Sequence, residues 1–375
     1  MTRPFANKRA NNRGAIWLAA GGTGGHVFPA IHTADALTSR GFDVFMITDK
    51  RGVRLLPAEM KRAVIAAASP FAGSLFSRLF ALVKLFAGFI QILALLLARR
   101  PQALVGFGGY PAAAPTLAAW LLRIPVWLHE QNAVMGRTNQ MLAKLARQVF
   151  TSWPETTGLP QTARHLHTGL PVGKAFTALP PYQPGKDDGP LHLAVFGGSL
   201  GARLFADILP LAVAQLPDQL KQSVKITQQA REDQIAVLKA AYAAQAITAD
   251  IRPFFADVAG VMASADLIIC RAGASTVAEL AAAGRPSLLI PFAHALDDHQ
   301  QANARQLANT GGAELVTEQD ASDQHLAKLI TDLLSAPDRR QTQARAARTI
   351  ARPDADKQIC TVLETHLFSP SQEAA

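Results

Sequence analysis

The stretch Gly21 to Pro29, GGTGGHVFP, lies between an apolar run of strand length, Ala15 to Ala20, and a helical run, Ile31 to Leu37. The order is strand, glycine turn, helix, and the chain repeats it: Ala103 to Gly106 feeds Gly106-Phe107-Gly108-Gly109-Tyr110-Pro111, and Leu191 to Phe196 feeds Gly197-Gly198-Ser199-Leu200-Gly201. The recurrence suggests an α/β chain of two similar doubly wound domains. The turn itself lets the backbone bend sharply and aims free N–H groups at an oxyanion or a sugar hydroxyl. His26 is the one residue of the turn that can carry a proton near neutral pH. Gly22 and Gly24 satisfy a dinucleotide fingerprint, but Val27 stands where the third glycine belongs; Asp49, near the end of the next apolar run, keeps a nicotinamide reading open. Taken alone, the turn fits a structural βα connection as well as a ligand site.

Further strands are expected at Phe42 to Thr48, Val64 to Ala68, Pro125 to His129, Val149 to Ser152 and His165 to Thr168. Pro125 to His129 ends in Glu130-Gln131-Asn132, and polar residues at the carboxyl ends of parallel strands are where open α/β sheets bind ligands. Prolines and glycines then cluster with Lys174, Lys186, Asp187 and Asp188, which marks 171–190 as a linker. From Leu191 the pattern restarts, with strands at Val224 to Thr227, Ile251 to Phe254, Asp266 to Cys270 and Pro286 to Pro291. The expected organisation is a first Rossmann-like domain over 14–170, the linker, a second over 191–340, and a C-terminal helix and tail over 341–375 that packs back on the first domain.

A chain of 375 residues accommodates two such cores, and two cysteines, Cys270 and Cys360, give no disulfide framework. The net charge of +9 points to an anionic partner surface; with basic residues scattered and no recognition motif, nucleic acid is set aside in favour of lipid. Met1 to Arg13 mimics a signal peptide, but the apolar AIWLAA is short and runs straight into the glycine turn, so it is read as a disordered basic arm followed by the first strand. Between Phe71 and Arg100 apolar residues crowd almost every position, leaving a stripe of small or polar residues, Ser74, Ser77, Arg78, Ala81, Lys84, Gly88 and Gln91, at helical spacing. Three readings compete: a spanning helix, a buried core helix, and a helix with one face on a membrane. Lys84 and Gln91 weigh against spanning, and Arg78, Lys84, Arg99 and Arg100 favour the membrane face, with Leu79, Phe80, Val83 and Phe86 toward lipid.

Seven motifs occur in order: GGTGGHV, GFGGYP, HEQN, TGLPV, FGGSLGA, CRAGASTVAEL and DHQQANA. With them the chain resembles, over nearly its whole length, the MurG family of peptidoglycan glycosyltransferases in glycosyltransferase family 28. The resemblance implies a GT-B fold, two Rossmann-like doubly wound domains with a deep interdomain cleft. It implies inverting transfer of N-acetylglucosamine from UDP-N-acetylglucosamine to the C4 hydroxyl of the muramoyl sugar of lipid I, giving lipid II. The expected setting is peripheral, at the cytoplasmic face of the bacterial inner membrane, beside other cell-wall synthesis and division proteins. Carried over by position, Ala274, Ser275, Thr276, Val277, Ala278 and Glu279 hold the nucleotide, with Glu279 on the ribose hydroxyls. Ser199 meets the phosphates, the Phe255 backbone reads the uracil edge, and Gln300 and Gln301 contact the donor sugar. Thr23, Gly24, Gly25, His26, Tyr110, Glu130 and Asn132 line the acceptor side and touch the transferred sugar.

Inverting transfer needs a base for the attacking hydroxyl and a stabilised diphosphate. His26 is the expected base and Glu130 its competitor, either as a second base or as the group that orients the histidine. No metal site is expected: Asp354-Ala355-Asp356 lies in the tail, and helix N-termini can bear the leaving-group charge, with a divalent cation such as Mg²⁺ allowed but not demanded. The sequence departs from the family pattern at Gly173 and Lys174, where an arginine is usual and Lys174 can contact a phosphate only as a point charge. It departs again at Leu200 and Ala293, where glutamine is common. The alternatives are a UDP-N-acetylglucosamine 2-epimerase or other GT-B UDP-sugar enzyme, a nicotinamide oxidoreductase using Asp49, and a non-catalytic scaffold.

Overall fold

The structure, a computed structural model, describes residues 13–67, 75–185, 190–198, 203–293 and 298–368, without the side chains of 75–79, 81 and 82. The expectations for the basic arm before Arg13, for Phe71 to Ser74, for Lys186 to Asp188, for Ser199, Leu200 and Gly201, and for the Leu79 side chain lie outside the described residues. The chain forms two compact units, one running to Val172 and resuming at Arg352, the other covering Gly173–Ala351.

The first unit is built on seven parallel strands: β1 (Ala15–Ala19), β2 (Asp43–Thr48), β3 (Arg62–Val64), β4 (Ala103–Gly106), β5 (Val126–Glu130), β6 (Gln148–Thr151) and β7 (His165–His167). Their order is β3-β2-β1-β4-β5-β6-β7, so the winding reverses between β1 and β4. β1 shows why the sheet forms. Ile16, Leu18 and Ala20 enter one core with Val27 and Leu37 of α1 (Gly24–Ser39), while Trp17 and Ala19 enter the opposite core. That second core is closed by Ile92 and Leu96 of α2 (Leu75–Ala98) and by Ala112 and Ala118 of α3 (Tyr110–Leu121). The central strands are covered on both sides and therefore read as unbroken apolar runs.

α2 turns the small and polar stripe inward at its middle. A Cβ on Gly88 would lie 2.2 Å from the Ala66 carbonyl oxygen, and Gln91 accepts from the Ala66 N–H at 3.2 Å. Outward stand Phe80, Val83, Phe86, Ile90 and Leu97, between 48% and 66% exposed. Among the described residues no helix is long and apolar enough to cross a membrane.

The second unit repeats the plan with six parallel strands, β8 (Leu191–Phe196), β9 (Val224–Gln229), β10 (Thr248–Arg252), β11 (Leu267–Cys270), β12 (Ser287–Leu289) and β13 (Glu314–Leu315), in the order β10-β9-β8-β11-β12-β13. The winding again reverses between the first and fourth strands. The proline-rich stretch after Pro171 is bound to this unit: Tyr182 is buried, donates to Asp266 at 3.0 Å and accepts from Arg340 at 2.9 Å, and Arg348 holds the Leu179 carbonyl at 2.7 Å. The helix Pro337–Thr349 also stays here, and only the last helix, Ala355–Phe368, joins the first unit, burying Ile359, Cys360 and Leu363 in its core.

Candidate active site

In the first unit the turns after β1 and β4 meet at the point where the winding reverses. Asp49, buried at the end of β2, accepts from the N–H groups of Gly22 at 3.0 Å and Gly52 at 2.8 Å, and Tyr110 donates its hydroxyl to the same carboxylate at 3.4 Å. This carboxylate is therefore the strap of the glycine turn, and a role on a nicotinamide ribose is set aside. Burial and the neighbouring Asp49 charge raise the Tyr110 phenol above its ordinary range. Thr23 caps α1 with an extended backbone and no side-chain hydrogen bond, which leaves the first-turn N–H groups of Gly24 and Gly25 without helical acceptors. A side chain on Gly24 would strike the Phe28 ring at 2.7 Å.

His26 sits where these turns converge. Gly108 and Gly109 hold left-handed backbone, φ 78° and 70°, and a Cβ on either would stand 3.4 Å from the imidazole. The ring nitrogen Nδ1 is 2.9 Å from Gln131 Oε1. Gln131 is buried and lies with its amide nitrogen 3.1 Å from His129 Nδ1 and 3.2 Å from the His129 carbonyl. His129 Nε2 in turn faces the Gly169 carbonyl at 3.1 Å. Complete burial holds the His129 imidazole down at about 4, against the pull of the Gly169 hydrogen bond. The partner of His26 is thus Gln131, which the sequence offered only as one of three polar residues after the strand Pro125 to His129 and as a letter of the HEQN motif.

Glu130 is 1% exposed, and four donors meet its carboxylate: Asn132 N at 3.0 Å, Asn132 Nδ2 at 3.2 Å, Gly136 N at 3.0 Å and Asn139 Nδ2 at 2.8 Å. These bonds fold the loop after β5 and hold Asn132 against it.

In the second unit the turn after β11 enters the helix Ala274–Ala283 through Gly273, whose backbone is extended and supplies no side-chain cap. Among the described residues, the N–H groups of Ala274, Ser275 and Thr276 therefore open the helix with no side-chain cap, the positive end of the dipole behind them. The Ser275 hydroxyl is enclosed and has no hydrogen-bond partner among the described residues. Val277 is in the core and Ala278 is half-buried one residue before Glu279. Glu279 is half-buried, and desolvation pushes its carboxyl group up to about 8. Among the described residues no hydrogen bond reaches that carboxyl group. Phe255 is buried edge-on to Phe196 with Arg252 over its ring. Gln300 accepts from the Phe292 N–H at 3.0 Å, and Gln301 is half-buried on the next position of the helix His299–Ala308. Lys174 is exposed at the start of the short helix Lys174–Thr177.

Arg271 has no counterpart among the sequence expectations. Its guanidinium pairs with both oxygens of Glu318 at 3.1 and 3.2 Å and holds the carbonyls of Ile290 and Pro291, while Glu318 also takes the Ala293 N–H at 2.9 Å. It ties together the loops that leave β11 and β12. A charged residue directly after an apolar strand was the available signal. Among the described residues no group of three His, Cys, Asp or Glu side chains is arranged to hold a metal.

Residues 16–151 match the model of the glycosyltransferase family 28 N-terminal domain, and residues 192–359 that of the glycosyltransferase family 28 C-terminal domain. The chain is 42% identical over 365 residues to a protein of Rhizobium meliloti (strain 1021) named UDP-N-acetylglucosamine--N-acetylmuramyl-(pentapeptide) pyrophosphoryl-undecaprenol N-acetylglucosamine transferase, covering 94% of this chain and 96% of that one. It is 44% identical to a protein of the same name from Methylorubrum extorquens, covering 93% and 97%. The crystal structure of Acinetobacter baumannii MurG superposes with a TM-score of 0.75 at 32% identity, covering 94% of this chain and 99% of that one. The calicheamicin glycosyltransferase CalG4, at 15% identity, a TM-score of 0.69 and coverage of 96% and 100%, shares the fold alone.

Proposed function

The chain belongs to glycosyltransferase family 28, and from that membership we propose how its residues divide the work of glycosyl transfer. The reaction moves N-acetylglucosamine from UDP-N-acetylglucosamine to lipid I, the undecaprenol-linked muramyl pentapeptide, giving lipid II, on a GT-B fold of two doubly wound parallel α/β domains. The C4 hydroxyl oxygen of the acceptor attacks the anomeric carbon from the face opposite the diphosphate. UDP leaves with the electrons of the broken C–O bond, the configuration inverts, and His26 takes the hydroxyl proton. The observation that carries this assignment is the convergence of both glycine turns of the first unit on one imidazole.

Glu130 serves the site by folding its loop, since four donors already occupy its carboxylate. Thr23, Gly24, Gly25, Tyr110 and Asn132 line the acceptor side around His26. On the second unit, the N–H groups from Ala274 to Thr276 face the diphosphate and Glu279 accepts from the ribose hydroxyls. A desolvated carboxyl group that no donor reaches among the described residues is suited to a vicinal diol that brings two. Phe255 presents its backbone to the base. Gln300, whose oxygen is taken by Phe292, turns its amide N–H₂ and the neighbouring Gln301 to the sugar. Lys174 offers a point charge to a phosphate. The helix N-termini are the groups of the chain itself that meet the leaving-group charge. Phe80, Val83 and Phe86 rest on an anionic membrane surface at the cytoplasmic face; their exposure of 57%, 58% and 66% supports this.

Purified protein with labelled UDP-N-acetylglucosamine and a lipid I analogue is expected to yield lipid II and UDP. Conversion of the donor to UDP-N-acetylmannosamine without acceptor would instead make it an epimerase, and no product across detergents and Mg²⁺ levels would refute the transferase reading.

A further inference from the structure

The hydrogen bonds behind His26 dictate where its proton must be. The Gly169 carbonyl can only accept, so His129 Nε2 carries a hydrogen and donates to it. His129 is wholly buried and neutral, so its Nδ1 is a bare lone pair. The end of the Gln131 side chain that faces both this lone pair and the His129 carbonyl must therefore be the amide N–H₂, and two separate acceptors fix its orientation. Gln131 Oε1 is left pointing at His26 Nδ1 across 2.9 Å, and an amide oxygen can only accept. We propose that Gln131, backed by His129 and the Gly169 carbonyl, is a positioning residue that holds the His26 proton on Nδ1 and so keeps Nε2 as the basic nitrogen.

The proposal rests on the reading of His26 as the base and adds the reason one of its nitrogens is ready to act. A neutral imidazole has one basic nitrogen, and one held in the wrong tautomer presents an N–H to the hydroxyl it should deprotonate. The backing partner here is an amide, not a carboxylate. It selects the tautomer without placing a negative charge beside the ring.

The first test reads the unsubstituted protein. In protein labelled with ¹⁵N at histidine, long-range ¹H–¹⁵N correlation at alkaline pH should show His26 protonated at Nδ1 and bare at Nε2, the signals being assigned by their loss in His26→Ala. An Nε2–H tautomer overturns the proposal. Gln131→Met removes the acceptor at similar size and should mix the tautomers and lower kcat about tenfold or more, with KM for UDP-N-acetylglucosamine changed by less than about twofold. Gln131→Glu keeps an oxygen facing Nδ1 whether or not it is protonated, and should retain the tautomer and most of the turnover. Equal losses in both variants with the tautomer unchanged would reduce Gln131 to a structural part and overturn the proposal. If Gln131→Met does not fold, the unsubstituted protein and Gln131→Glu still decide. Full turnover in His26→Ala would instead refute the base assignment, a result separate from the tautomer measured.

Discussion

His26 and Glu279 are the two side chains whose removal should split the reaction into chemistry and donor binding. His26→Ala is expected to lower kcat by about 10²–10⁴, the usual worth of a general base, while UDP-N-acetylglucosamine affinity measured by calorimetry stays the same. In its proposed role, Glu279 should act on affinity and link it to pH. Its carboxyl group is raised from 4.5 to about 8 by desolvation. The free folded protein therefore holds a proton there that the unfolded chain releases earlier, and the stability this contributes is full below 4.5 and lost as pH climbs to about 8. Ribose hydroxyls donating to the carboxylate favour its charged form, so donor binding should release a proton in neutral buffer and tighten as pH rises toward 8. Calorimetry in buffers of different ionisation enthalpy measures that release, and Glu279→Gln should abolish it. At this scale the sequence was legible unevenly. The motif letters pointed to His26 and Glu279, because a titratable side chain beside a glycine turn stands out. Gln131 did not, since nothing in a neutral amide tells which histidine it will meet; only the sheet, by setting the end of β5 beside the first turn of α1, makes the pair.

Elements were legible where burial leaves one kind of residue at every position. Ala103–Gly106 and Leu191–Phe196 read as strands to the residue because both sheet faces are covered. At the edges the signal fails: β3 lies at Arg62–Val64, ahead of the expected Val64 to Ala68, and has no buried residue, while β13 has only two residues. The glycine turns were legible as turns, but their common floor under His26 was not, since sequence spacing says nothing of two turns meeting. For α2 the composition left three environments open, and exposure separates its faces. Ile92 and Leu96 are fully buried, so Ile92→Ala should cost about 2–5 kcal/mol in denaturant melts. Phe80 and Phe86 are 57% and 66% exposed, so replacing both by Ser should leave the melt in place and weaken binding to anionic vesicles about tenfold or more, sparing turnover on a soluble acceptor. Unchanged sedimentation with vesicles would mean that this face meets something other than lipid.

Across the whole molecule one winding order is used twice, and the last helix breaks the symmetry by returning to the first unit. The repeat was legible because strand, glycine turn and helix restart at Leu191. The point of return was less so, because an arginine- and alanine-rich stretch runs from Gln341 past Ala351 with no change of character except Pro353, which cannot continue a helix. The returning helix matters through its apolar side. Ile359 and Leu363 are fully buried beside Leu37 and Phe42, whereas the ion pairs of Arg13 and Arg40 with Glu364 lie near the surface and contribute little. Leu363→Ala should therefore destabilise the first unit by about 2–5 kcal/mol. Since Leu363 belongs to that unit's core, hydrogen exchange should accelerate in β1, β2 and α1, while β8, β9 and β11 keep their protection. Donor should still protect amides at the start of the helix Ala274–Ala283 in the same variant, because those N–H groups depend on the other core. Loss of protection spread evenly over both sheets would mean instead that the two cores open as one cooperative unit.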